Sequence, residues 1–257
     1  MKVLPLKKGI IYGPVDSRRL GKSLGINLSP VEHKLCSFNC IYCHYGWTER
    51  VTKDAAKHIE DFPKKEDVFT ALRQAIKLDR EVDYITFSGD GEPTLHPEFE
   101  EIVCEVRKIR DELVPGTPIA VLSNSSMLFT ESVRRAVSMI DLKMLKLDAG
   151  IERIFREINK PVSGLHLNYI VDALKGVEDF LIQTLFVKGV VDNTVEENLA
   201  QWIKILSSIK PRSVQIYSTD RPVPEQGIEK VSREGLEQIA LRVKKETGIQ
   251  VEVFSLE

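Results

Sequence analysis

The sequence predicts a single-domain α/β fold built on a parallel sheet, and three observations carry that expectation. Apolar, β-branched runs alternate with helix-period segments along most of the chain, the pattern of βαβ units. Each strand candidate is followed by a polar or glycine-bearing segment, SGDGEPT, SNSS, KLDAG and YSTDRP among them. Polar residues therefore gather at one end of the strands, where parallel α/β folds bind ligands. A chain of 257 residues is also long enough to bury one large core of this kind.

In chain order the strand candidates are 25–28, 82–89, 119–124, 142–148, 181–187 and 214–218, with a further one at 251–255. Between them lie amphipathic segments at 65–78, 97–112, 130–138, 165–178, 194–209 and 232–247, several opened by Thr, Ser or Pro as helix starts require. The organisation expected is one domain over 1–257, with a basic lead-in at 1–24, a core at 25–218, and a C-terminal helix with a last strand at 219–257.

The balance of 36 Lys+Arg against 38 Asp+Glu leaves a formal net charge of -2, so no chain-wide basic field exists to hold nucleic-acid phosphates. A nucleic-acid substrate would need a local patch. The N-terminal residues lack the apolar run of a signal peptide, and no stretch approaches the apolar length of a membrane span, so a cytoplasmic protein is expected. Only four cysteines occur and three fall within eight residues, which suits metal binding better than a disulfide framework. Cys104 stands apart in EEIVCEVRKIR, with Ile102, Val106 and Ile109 at helical spacings, and reads as a small buried hydrophobe.

The segment Cys36-Ser-Phe-Asn-Cys40-Ile-Tyr-Cys43 follows the first strand and lets three thiolates converge on one small object. A structural zinc ion would take a fourth ligand, for which His33 and His44 are at hand. A cubane cluster has four irons, so three thiolates would leave one iron free to bind a substrate or cofactor. Both readings stand on the residues alone.

CSFNCIYC resembles the CxxxCxxC motif of the radical S-adenosylmethionine (SAM) superfamily, including the aromatic Tyr42 directly before the last cysteine. Residues 88–95, SGDGEPTL, look like that family's GGE motif at Gly91 and Glu92, with Asp90 standing where paired glycines are commoner. The resemblance implies a [4Fe-4S] cluster on Cys36, Cys40 and Cys43 whose open iron chelates SAM. An electron from a donor such as flavodoxin or ferredoxin then yields methionine and a 5'-deoxyadenosyl radical that takes hydrogen from a substrate. It also implies a partial (β/α)6 TIM-like barrel rather than a closed one. By position Ser123 and Asn124 after the third strand, and Lys146 to Asp148 after the fourth, resemble the sites that hold the carboxylate and ribose of SAM. Gln183, polar within the apolar run LIQTLFV, is expected to face the barrel lumen and the SAM site.

SRRLGKSLGINLSP, the cysteine loop, SGDGEPTL, KLDAG and YSTDRPVP together resemble the radical SAM subgroup related to wyosine tRNA-base synthases. Those enzymes hold a second cluster on additional cysteines, which Cys104 alone cannot supply. Tyr217 and Arg221, beside Ser218 and Asp220 at the end of the sixth strand, are substrate candidates. So are Arg18 and Arg19, which with Lys22, His33 and Lys34 form a cationic stretch beside the cluster loop. Three readings stay open: a radical SAM enzyme acting on tRNA or a nucleoside, one acting on a small metabolite or protein, and a non-catalytic zinc-binding protein.

Overall fold

The β-branched and aromatic runs line up as one eight-stranded sheet in the computed structural model, which describes residues 3–79 and 81–255. The outermost residues of the expected domain, 1–2 and 256–257, and residue 80 lie outside the described residues. The strands are β1 (Ile11–Ser17), β2 (Gly21–Ile26), β3 (Tyr84–Phe87), β4 (Ile119–Ser123), β5 (Leu142–Lys146), β6 (Phe180–Leu185), β7 (Ser213–Tyr217) and β8 (Gln250–Phe254). From β2 to β8 every neighbour pair is parallel and in chain order, while β1 lies antiparallel on β2. Six strand–helix crossovers followed by β8 make a partial barrel, and the strand expected at 251–255 is its last member.

Side chains of a strand alternate between faces, so each strand here serves two cores. Ile85, Phe87, Val121, Leu145, Ile182, Val214 and Ile216 belong to the main core beneath the helices. Ala120, Met144 and Leu181 point the other way and, with Leu20, form a separate cluster inside the barrel, joined by Tyr84, Leu122 and Leu142. Helices α1 (Lys65–Leu78), α2 (Phe99–Leu113), α3 (Glu131–Ser138), α4 (Glu152–Asn159), α5 (Leu167–Leu174), α6 (Glu196–Ile209) and α7 (Arg233–Thr247) cover the outside. Each buries one stripe; in α1 it is Val68, Leu72 and Ile76, one helical turn apart. Cys104 lies half-buried in α2 with its Sγ 3.8 Å from Met139 Sδ, the packing role its spacing implied.

Two departures from the sequence expectation matter for the site. Residues 11–24, read as a lead-in, form most of the β1–β2 hairpin, with Gly13-Pro14 accommodated at the register shift between Tyr12 and Val15 on an edge strand. The turn of this hairpin drives Leu20 into the barrel interior. It also lays the Arg19 guanidinium over the rings of Tyr217 (4.3 Å) and Phe254 (4.8 Å), joining the two edges of the open sheet. The second departure is α4, an eight-residue helix between 148 and 165, where the sequence analysis places no element. Its Ile154, Phe155 and Ile158 are buried at helical spacing. No helix of the described residues is long and apolar enough to cross a membrane.

Candidate functional site

The C-terminal ends of the strands open onto a cavity of about 220 Å³. The loop that carries the cysteines leaves β2, makes a two-residue pairing of Leu35–Cys36 with Arg50–Val51, and then docks on α4. Ile41 N donates to Ile158 O (3.0 Å) and Asn39 N to Asn159 O (3.0 Å), while the Phe38 ring meets Phe155 edge-on at 5.5 Å. The unsatisfied carbonyls of a helix C-terminus thus become anchors for the loop. Lys34, nearly fully buried, donates from Nζ to Gly46 O (2.6 Å) and ties the loop's far end back to its start.

Cys36, Cys40 and Cys43 all line the cavity. Among the described residues, no group of three or more His, Cys, Asp and Glu side chains is gathered closely enough about one point to hold a single metal ion. The three thiols share the lining of one open cavity. His44 also lines this space, whereas His33 points toward Asp61, with Nε2 3.5 Å from Oδ2, and is not part of it. Burial and the mutual repulsion of Cys36 and Cys40 push the Cys36 thiol up to about 12. Burial, together with Cys43, pushes Cys40 up to about 11. Thiolates in this cavity need cationic charge among them. Two buried amides already turn toward sulfur: Asn124 Nδ2 donates to Cys36 Sγ (3.6 Å) and Asn159 Nδ2 to Cys40 Sγ (3.5 Å).

The GDGE loop after β3 forms the opposite wall. A Cβ at Gly91 would lie 2.0 Å from Leu35 O and 2.7 Å from Ser29 Oγ, so only glycine lets this loop approach the cysteine loop so closely. Glu92 turns inward. Its Oε1 accepts from Thr94 N (3.1 Å), Thr94 Oγ1 (2.5 Å) and Ser123 Oγ (2.8 Å), and its Oε2 from Asn124 N (2.6 Å). Burial raises its pKa and these donors counter the rise. The Glu92 carboxylate therefore binds the chain itself, pinning the ends of β3 and β4, and the loop backbone is left to meet a ligand. Asp90 is buried beside it and accepts from Lys7 N (2.5 Å).

A second polar group stands below the cysteines. Tyr42 OH and Asn159 Nδ2 (2.8 Å) both donate to Asp148 Oδ2, and Leu185 N donates to Oδ1 (2.9 Å). Lys146 Nζ lies 3.3 Å from Asp148 Oδ1, donates to Tyr217 OH (2.9 Å), and sits over the rings of both Tyr42 and Tyr217. Burial alone would lower the Lys146 pKa, but Asp148 and Tyr217 outweigh it and hold the ammonium charged.

The structure thus brings Tyr42, Gly91, Glu92, Ser123, Asn124, Gln183 and Tyr217 to one cavity with the three cysteines. Asp148 sits one layer back, orienting Tyr42 and Lys146 rather than lining the space. Arg18 and Arg19 are not at the cavity: Arg18 pairs with Asp220 (3.5 Å) and Arg19 stacks behind Tyr217. Arg221 is exposed near His44 and Tyr45, its charge bearing on both. Lys146 lines the cavity, as does Lys34, which the sequence placed in a cationic stretch, and Asn159, at the Cys40 sulfur, was missed. The signal for Asn159 was a polar residue at the end of the buried stripe Ile154, Phe155 and Ile158.

The sequence profile of the Radical SAM superfamily matches residues 33–207. The chain is 37% identical over 225 residues to UPF0026 protein MJ1312 of Methanocaldococcus jannaschii, covering 85% of this chain and 66% of that protein. It is 31% identical over 258 residues to a GTPase Obg of Brachyspira hyodysenteriae, covering 98% of this chain and 36% of that one. The chain therefore spans less than two thirds of these relatives. Among solved structures, TYW1 with a lysine-pyruvate adduct bound superposes with a TM-score of 0.62 at 15% identity, over 88% of this chain and 74% of that one. Streptococcus suis SuiB bound to S-adenosylmethionine superposes with a TM-score of 0.63 at 15% identity, over 91% of this chain and 51% of that one. At such identity the likeness is one of fold.

Proposed function

Because the chain belongs to the radical SAM superfamily, we propose that it is an enzyme that reductively cleaves SAM at one [4Fe-4S] cluster held by Cys36, Cys40 and Cys43. The observation that carries the proposal is the placing of three partly buried thiols on one cavity opposite the Gly91 loop. Three thiols on the lining of one cavity suit an object that takes one thiolate per iron and leaves the fourth iron open. With Cys104 in the helical layer, the cysteines of this chain serve one cluster. When bound, the cluster and SAM supply a 5'-deoxyadenosyl radical that removes a hydrogen atom from the substrate.

The chain's own part is to bind, orient and exclude water. Asn124 and Asn159 donate to the cysteine sulfurs and favour their ionised form. The backbone of the Gly89 to Gly91 loop, Ser123 and Asn124 line the side on which SAM would lie, and Lys146 adds a fixed positive charge for a carboxylate. The aromatic walls, Tyr42 and Tyr217, keep the reacting space dry. A one-electron donor such as flavodoxin or ferredoxin is required.

For the substrate, the reading taken is an RNA or nucleoside, bound where the charge of exposed Arg221 bears on His44 and Tyr45 of the cavity lining. A cation next to aromatic faces is the combination that holds an unstacked base and its phosphate. Anaerobic reconstitution tests the cluster: about four irons per chain are expected, falling sharply in Cys43→Ala. One tightly bound zinc and no iron would overturn it. Binding of bulk tRNA that weakens with salt and with Arg221→Gln tests the substrate class; no binding at low salt would move it to a metabolite or protein.

A further inference from the structure

Gln183, Gln215 and Glu252 occupy registered positions on the adjacent strands β6, β7 and β8. Gln183 Nε2 donates to Gln215 Oε1 (3.0 Å), and Gln215 Nε2 donates to Glu252 Oε2 (3.1 Å). The direction of this ladder is not free. A carboxylate only accepts, so Gln215 must turn its NH2 toward Glu252 and its oxygen toward Gln183. Gln183 must in turn spend its NH2 on Gln215. Gln183 lines the cavity, and its Oε1 takes no hydrogen bond from any described residue.

We infer that Glu252, acting through Gln215, holds the Gln183 amide with its carbonyl oxygen toward the cavity, so that bound SAM meets this wall with a hydrogen-bond donor, a hydroxyl or an amino group. Glu252 and Gln215 are positioning residues; Gln183 is the binding residue. The inference rests on the reading of the cavity as the SAM site. It assigns a purpose to this polar run across the inner face of the sheet and to the last strand, whose Glu252 is exposed. A buried amide in a barrel can pair in either sense, and only an acceptor-only terminus selects one.

Reversing the terminus tests it. In Glu252→Lys the ammonium donates to Gln215 Oε1, Gln215 Nε2 then donates to Gln183 Oε1, and the NH2 of Gln183 is turned to the cavity. Calorimetric titration of cluster-loaded protein with SAM should show binding weakened by about tenfold or more, because two donors then face each other. Adding Gln183→Glu to Glu252→Lys should restore an acceptor at the wall and recover most of the affinity. Hydrogen exchange of 15N-labelled glutamine side chains supplies a readout that needs no SAM. The Gln183 NH2 should lose protection in Glu252→Lys while that of Gln215 keeps it. Unchanged SAM affinity in Glu252→Lys, or unchanged Gln183 exchange, overturns the inference while the SAM reading stands. If the wild-type cluster-loaded protein binds no SAM, the reading of the cavity falls and this inference falls with it.

Discussion

Replacing Gly91 with alanine probes the contact on which the site depends. The new Cβ would stand 2.0 Å from Leu35 O and 2.7 Å from Ser29 Oγ, far inside van der Waals contact. The nearer clash is with backbone, so no rotamer change relieves it. The GDGE loop and the cysteine loop must separate by more than an ångström at this point. Inserting an atom into a packed region without room costs about 1–3 kcal/mol. In a domain of this size that lowers Tm by roughly 3–10 °C. Because Leu35 precedes Cys36, the same displacement moves the first thiol away from the other two. Gly91→Ala should therefore melt lower and retain much less iron after reconstitution. Gly176→Ala is the control, since its Cβ would meet only Ala173 O at 3.5 Å and its backbone needs no positive φ. Differential scanning fluorimetry and iron assay on both variants decide the matter. A Gly91→Ala protein with wild-type Tm and iron content would refute the reasoning.

Three further outcomes are expected. His96 is a buried neutral ring whose Nε2 bonds Pro63 O (2.8 Å) and whose Nδ1 accepts from Glu98 N (3.1 Å); burial lowers its pKa below 6.5. The unfolded chain then takes up the proton first, so stability is full above about pH 6.5 and declines as pH falls below it, and His96→Gln should flatten that part of a Tm-against-pH curve. Arg19→Ala removes the guanidinium from Tyr217 and Phe254 and unties the two sheet edges, lowering stability by about 1 kcal/mol in denaturant titration with iron content unchanged. Cys104→Ala should likewise leave the iron content at its wild-type value, since the Cys104 thiol contacts Met139 in the helical layer.

What the sequence made legible was what local pattern encodes. The parallel strands at 119–124 and 142–148 and the helix at 65–78 are long or strongly periodic, and the structure places them within two residues of the expected bounds. The cysteine spacing likewise anticipated that Cys36, Cys40 and Cys43 share one cavity. Other features are written only in tertiary contacts. The β1–β2 hairpin lies in residues read as a basic lead-in, because an edge strand with a register shift between Tyr12 and Val15 carries no clean alternation. Helix α4 is short, and its stripe Ile154, Phe155 and Ile158 follows a glycine-bearing turn, where no element was expected. Arg18 and Arg19 read as a phosphate patch because charge alone does not show that Asp220 and two aromatic rings already hold them. Conversely Gln183 stood out as polar in an apolar run, but its direction depends on Glu252, 69 positions later and two strands away.

Cleavage of SAM requires the three thiols to hold one cluster that leaves a place for it. The direct measurement is to incubate reconstituted, reduced protein with SAM under anaerobic conditions and to quantify 5'-deoxyadenosine and methionine by chromatography. Release of both from the wild type, lost in Cys36→Ala, Cys40→Ala and Cys43→Ala and kept in Cys104→Ala, is the predicted result. A wild-type protein carrying its full iron that leaves SAM intact would contradict the account.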